Sequence, residues 1–122
     1  KKGKKKHYDE FPLDRKLVSK TVNLLTHHAS RATAVRSGTF VTVSACTGTK
    51  KRALELRNRF NAICENMEGA AVAHVCALYG VPLVEIRGIS NIVEDRDRKK
   101  GDIPLASRNC QRALAELLAH LP

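Results

Sequence analysis

Residues 62–91 read AICENMEGAAVAHVCALYGVPLVEIRGISN, and the succession of physical habits along them decides the fold class. Ala62 to Cys64 is a short run of strand type. Glu68 to Tyr79 is apolar nearly all round, the pattern of a helix buried within a larger assembly. Gly80 and Pro82 stop that helix, because glycine tolerates the left-handed turn and proline cannot continue the hydrogen-bond ladder. Leu83 to Ile89 follows as a short apolar strand carrying Glu85 and Arg87. Strand, helix, turn and strand in this order point to an α/β layer architecture with a largely buried sheet.

The flanks extend the same alternation. Upstream, Lys50 to Phe60 places Ala53, Leu54, Leu56 and Phe60 among Lys, Arg and Glu as an exposed amphipathic helix does, behind the turn Thr47-Gly48-Thr49. Before it, Ala32 to Val35 and Phe40 to Ser44 read as a hairpin or two sequential strands around a turn containing Gly38. Pro12 to Leu25 carries Leu13, Leu17, Val18, Val22, Leu24 and Leu25 at helical spacing, with Asp14 near its start. Downstream, a polar loop from Ser90 to Asp102 holds the charge string EDRDRKK, and a last helix begins near Pro104 with Cys110, Leu114, Leu117, Leu118 and Leu121 on one face. There is no internal repeat. A sheet of this class ordinarily opens with its own strand, whereas this sequence opens with lysines and a helix, so the pattern expected is that of the second half of a domain.

Composition narrows the class further. With 43% hydrophobic and 28% charged residues over 122 positions, the chain is neither a disordered tail nor a fibrous repeat. No stretch approaches the roughly 20 apolar residues that span a bilayer. Aromatics are 4% with no Trp, so the core must be aliphatic. The net charge is +10, and Lys1, Lys2, Lys4, Lys5 and Lys6 supply half of it. Residues 1–10 therefore read as a basic mobile tail and 11–122 as the folded part. No aromatics are interleaved with these lysines for base stacking, which argues against nucleic acid as the main partner. Cys46, Cys64, Cys76 and Cys110 lie 18, 12 and 34 residues apart, without the spacing of a zinc site. Four half-buried reduced thiols and no secretory signal at the start imply the cytoplasm. His27 and His28 fall near a helix end and His74 in an apolar helix, fitting terminal-charge and core roles.

Two segments carry chemistry. In ENMEGAA, Asn66, Met67 and Glu68 stand at a strand-to-helix junction beside free backbone N–H groups, and Gly69, Ala70 and Ala71 leave room for a ligand. Alone, Glu68 reads as an acid stabilising the helix dipole, worth about 0.3–1 kcal/mol; as a binding group, its carboxylate can accept both hydroxyls of a cis-diol. In IRGISN, an apolar strand ends in Arg87, Ser90 and Asn91, at the carboxyl edge where α/β sheets bind ligands. Alone, Arg87 pairs with Glu85, and Ser90 and Asn91 make a turn.

Together, the strand, the NMEGAA helix, the Val-Pro turn and the strand ending in R-x-I-S-N resemble the purine nucleosidase and nucleoside phosphorylase superfamily. The run VTVSACTGT, the SN pair and the RDR string look most like futalosine hydrolases, from about Phe11 to the end of the chain. The resemblance implies a three-layer nucleoside phosphorylase-like α/β fold with a mixed central sheet flanked by helices, here lacking its N-terminal strands. It implies a hydrolase that cleaves the N-glycosidic bond of futalosine and releases hypoxanthine. By the same resemblance, Glu68 accepts the ribose 2′- and 3′-hydroxyls, with Met67 packed on the sugar and Asn66 beside them. Thr47, Gly48 and Thr49 line the base pocket. Asn91 stands where adenine-specific relatives carry an aspartate; its amide can donate to O6 or N7 of a 6-oxopurine. Ser90 orients Asn91, and Arg87 fixes the water or the acid that activates it. That acid is a glutamate on the family's first strand, with no counterpart here. Gly101 departs from the aromatic that follows RDR in the family.

The expected partners are a purine nucleoside and further copies of the chain, in a dimer or higher homo-oligomer. No cofactor, metal or membrane is expected. A methylthioadenosine/S-adenosylhomocysteine nucleosidase or other phosphorylase-like enzyme is the alternative within the fold. A basic binding module or a non-catalytic structural piece is the alternative of another class.

Overall fold

A computed structural model describes residues 9–28, 34–93 and 101–121. The lysine run, Ala32 and Thr33 of the first expected strand, and the EDRDRKK string lie outside the described residues. Helix α1 spans Arg15–His28. It begins later than its apolar spacing suggests because Asp14 caps it: the Leu17 N–H donates to Asp14 Oδ1 at 2.7 Å. Strand β1 is Thr39–Thr42, helix α2 is Lys50–Phe60 and strand β2 is Ala62–Asn66. Helix α3 is Gly69–Tyr79 and helix α4 is Ile103–His120.

The ends of the helices follow from their sequences. Thr49 caps α2 by accepting from the Arg52 N–H at 3.3 Å, and Asn61 closes it at φ 51°. Gly80 closes α3 at φ 67°. Asp102 caps α4 through the Leu105 N–H at 2.8 Å, with Pro104 in the first turn, where its missing N–H costs nothing.

The strands pair in parallel, with Phe40 opposite Cys64 and Thr42 opposite Asn66. A parallel pair needs a crossover, and α2 is that crossover. This corrects the hairpin: Ala34 and Val35 lie in no strand, and β1 takes its partner from beyond the helix. The register shifts between Thr39 and Phe40, beside Ile63, whose Cδ1 would stand 2.7 Å from a Cβ at Gly38. Glycine at 38 leaves that side chain its place.

Among the described residues the ladder is this parallel pair, not a mixed sheet. Residues 83–89 form no ladder, in contrast to the strand expected there. Their β-propensity is real, but a strand also needs a backbone partner. The segment is held through Glu85, which meets Asn66, and through Gly88, which lies so close to the Ala106 carbonyl of α4 that a Cβ would collide with it.

The core is small and aliphatic. Leu25, Leu56, Ala73, Ala106 and Leu117 are buried, and Leu25 and Leu117 belong to α1 and α4, which pack together. Thr21 is buried in α1 with its hydroxyl unpartnered. Three of the thiols are half-buried as expected, while Cys46 is exposed. His74 is exposed, not core, and stacks on Phe11 with ring centroids 5.0 Å apart. No described helix is long and apolar enough to cross a membrane.

Candidate active site

The carboxyl ends of β1 and β2 and the start of α3 meet at one point. Thr42 Oγ1 donates to Asn66 Oδ1 at 2.8 Å, and the same Asn66 oxygen accepts from the Gly69 N–H at 2.7 Å. The Ala70 N–H donates to Thr42 Oγ1 at 2.9 Å. The first N–H groups of α3 are thus taken by the last side chains of the two strands, and are not free beside Glu68 as the sequence suggests. Asn66 is 8% exposed and spends its amide N–H on Glu85 Oε1 at 3.3 Å. It thereby ties strand, helix and the 83–89 segment together.

Glu85 is the centre of the next layer. It is 17% exposed, and its Oε1 accepts from Arg87 Nε at 2.7 Å. The side-chain hydrogen bond from Arg87 to Glu85 raises the guanidinium above its ordinary range, against the lowering effect of burial, with Glu85 and Glu68 adding attraction. Arg87 therefore stays a fixed cation. Its Nη2 stands 3.8 Å from Glu68 Oε2. Glu68 itself is 70% exposed and makes no capping bond to α3. Its carboxylate is steered by Arg87 at one side and open to solvent on the other, the condition for accepting two hydroxyls. Gly69 permits this arrangement: a Cβ there would lie 2.8 Å from both Glu85 oxygens and from Asn66 Nδ2.

Ser90 and Asn91 form a separate pair. Ser90 Oγ donates to Asn91 Oδ1 at 2.7 Å, and the Asn91 amide donates to the Ile92 carbonyl at 3.3 Å, with its second N–H available for another acceptor. The Ser90 carbonyl accepts from the Asp102 N–H at 2.9 Å and ties this turn to the α4 cap. Gly101 lies against Asn91, with room for a Cβ 3.6 Å from the Asn91 Cβ. Among the described residues no hydrogen bond or ion pair joins Asn91 to Arg87 or Glu68.

The Thr47-Gly48-Thr49 loop is held by Glu65, whose Oε1 accepts from the Thr47 N–H at 3.0 Å. Thr47 Oγ1 is buried and has no hydrogen-bond partner among the described residues, an atom that a ligand or water would satisfy. Thr49 is committed to the α2 cap, and Gly48 faces open space. Met67 is 46% exposed, with its sulfur 3.7 Å from Cys46 Sγ. Burial raises the Cys64 thiol above its ordinary value, with Arg87 pulling the other way.

An open trough of about 2240 Å³ is lined by Thr47, Gly48, Thr49, Asn66 and Arg87, but not by Met67, Glu68, Ser90 or Asn91. It exceeds the roughly 300–1,000 Å³ of a closed small-molecule pocket. The hydrogen bonds, which tie specific atoms together, define the site more sharply than this volume does. Reasoning from sequence missed Thr42 and Glu65 as site builders, and named Glu85 only as the partner of Arg87, a pairing the structure bears out. The signal for Glu85 was a carboxylate set within the apolar run LVEI.

Comparison with known proteins gives the same grouping. The futalosine hydrolase of Streptomyces coelicolor is 48% identical over 75 residues, covering 61% of this chain and 32% of that protein. The futalosine hydrolase of Thermus thermophilus is 33% identical over 118 residues, covering 93% of this chain and 49% of that protein. The 5′-methylthioadenosine/S-adenosylhomocysteine nucleosidase of Halalkalibacterium halodurans is 49% identical over 39 residues, 31% of this chain and 17% of that protein. The chain thus spans about a third to a half of the length of these futalosine hydrolases. No solved structure matches it. The family profile described as Phosphorylase superfamily matches residues 3–121, and with α3 starting at the carboxyl ends of a parallel pair, the chain belongs to that superfamily.

Proposed function

We propose that these residues form the sugar-binding and leaving-group side of a purine nucleosidase that hydrolyses the N-glycosidic bond of futalosine and releases hypoxanthine, a step of menaquinone synthesis by the futalosine route. The observation that carries this reading is the exposed Glu68 carboxylate, steered by an arginine that Glu85 holds in place. Glu68 accepts the two ribose hydroxyls, and Met67 covers the sugar. Thr47 Oγ1, buried without a partner among the described residues, meets the purine edge. As C1′ develops oxocarbenium character, water adds to it and the bond to the base nitrogen breaks. Asn91 donates through its amide to the charge collecting on the 6-oxopurine. An amide cannot supply a full proton, so the leaving base takes one from water. The general base that takes the proton of the attacking water is not among these residues. The supporting relatives are named futalosine hydrolases, and the four free thiols suit a reducing cytoplasm. The working form is a homo-oligomer whose neighbouring subunit helps close the site.

The test is hypoxanthine release from futalosine, inosine and methylthioadenosine by the 122-residue chain, beside the same chain joined to the N-terminal half of a related enzyme. The joined enzyme is expected to prefer futalosine. Folded proteins that hydrolyse no nucleoside, or that prefer methylthioadenosine, would contradict the proposal.

A further inference from the structure

Away from this site, the C-terminal ends of α1 and α4 meet. His28 is the last residue of α1, and Glu116 and His120 occupy successive turns at the end of α4. Glu116 Oε2 stands 3.7 Å from His28 Nδ1 and 3.7 Å from His120 Nδ1. The two imidazoles lie on each other with centroids 4.7 Å apart. Each of the three residues offers one ligand atom, and these atoms lie within 4.8 Å of one another.

We propose that His28, Glu116 and His120 bind a single divalent transition-metal ion of the zinc and nickel class. The 3.7 Å contacts are too long for hydrogen bonds, so the carboxylate is not consumed by its neighbours. Ligand atoms around a tetrahedral ion at about 2.0–2.1 Å lie roughly 3.3 Å apart. A few tenths of an ångström of closure by side chains at the surface brings Glu116 to that spacing from both histidines. His120 Nδ1 also lies 2.8 Å from the Glu116 carbonyl, and binding the ion through Nδ1 displaces that contact. The electrostatics favour a cation. Two helix C-termini, each carrying roughly half a negative charge, converge on a carboxylate. Two imidazoles and one carboxylate suit zinc or nickel better than magnesium, which prefers oxygen ligands alone. The three side chains are 39% to 44% exposed, which gives the ion a path of entry and leaves a position for water.

Isothermal titration of the chain with zinc chloride and nickel chloride, with magnesium chloride as comparison, tests this. The expected result is one zinc or nickel ion per chain and no magnesium heat. His28→Ala, His120→Ala and the isosteric Glu116→Gln should each weaken binding more than about tenfold, the lower end of what even an outer-shell change costs. Glu116→Asp, which keeps the carboxylate, should retain more affinity than Glu116→Gln. Cobalt serves as the spectroscopic probe, because the four free thiols are competing ligands: visible d–d bands without a thiolate-to-metal band are expected. Absent binding, binding untouched by the paired His28→Ala and His120→Ala change, or a thiolate band would overturn the proposal.

Discussion

At the scale of single residues, the account depends on which atoms are already spoken for. Asn91 accepts from Ser90 at 2.7 Å and gives one amide N–H to the Ile92 carbonyl, and its remaining N–H is the one proposed to meet the acceptor edge of a 6-oxopurine. In the joined enzyme, Asn91→Asp restores an acceptor for the exocyclic amine of adenine. The ratio of kcat/KM for methylthioadenosine to that for futalosine should rise by at least about tenfold; an unchanged ratio would remove Asn91 from base selection. Gly69 is the second such residue. The Cβ of Gly69→Ala would push Asn66 and Glu85 apart and break the part-buried hydrogen bond between them, costing about 1–3 kcal/mol in urea unfolding. It should also release Arg87 from its steering position over Glu68. Wild-type stability in Gly69→Ala would mean that the Asn66–Glu85 strut bears no load.

At the scale of elements, the helices were legible and the sheet only partly so. Lys50–Phe60 could be bounded from sequence because charges separate its apolar residues behind the turn Thr47-Gly48-Thr49, and the structure adds that Thr49 caps it. Pro104 marked the start of α4, while Asp102, read as the end of the polar loop, proves to be its cap. These signals are local. Pairing of strands is not: Phe40 to Thr42 announce a strand, but nothing near them says that the partner is β2, beyond a whole helix. For residues 83–89 the apolar run suggested a ladder, and the attachment made instead is by side chains and by close contact with α4. The candidate site was legible where it resides in motifs, at Glu68, Arg87 and Asn91, and illegible where it resides in support. Thr42 and Glu65 act on residues more than fifteen positions away, a separation that no spacing rule addresses. The contact between 83–89 and α4 yields its own prediction. Gly88→Ala drives a Cβ onto the Ala106 backbone carbonyl, which cannot turn aside as a side chain can, and should cost roughly 1–3 kcal/mol or more. Gly48→Ala meets nothing within 4 Å and should be tolerated with little change. Equal thermal midpoints for the two variants would contradict the close packing of 83–89 on α4.

At the scale of the whole molecule, charge and apolar surface are unevenly spread. Val72, Val75, Leu78 and Tyr79 of α3 are 51% to 80% exposed, although the helix is apolar on every side. A helix of that composition suits burial on several faces. Hydrogen bonds and ion pairs gather Glu68, Arg87 and Glu85 at one end of the parallel pair, while the His28–Glu116–His120 cluster lies where α1 and α4 end. The central claim concerns the first of these places: the carboxyl end of the sheet receives a purine ribonucleoside through Glu68 and Asn91. The most direct measurement is a titration of the isotope-labelled chain with inosine, followed by the NMR shifts of its backbone and side-chain amides. The account predicts saturable shifts at Gly69, Arg87 and the Asn91 side-chain amide, all diminished in Glu68→Gln and absent when 2′,3′-dideoxyinosine replaces inosine. A folded chain whose Gly69, Arg87 and Asn91 signals stay unmoved, or move equally with the dideoxy compound, would contradict it.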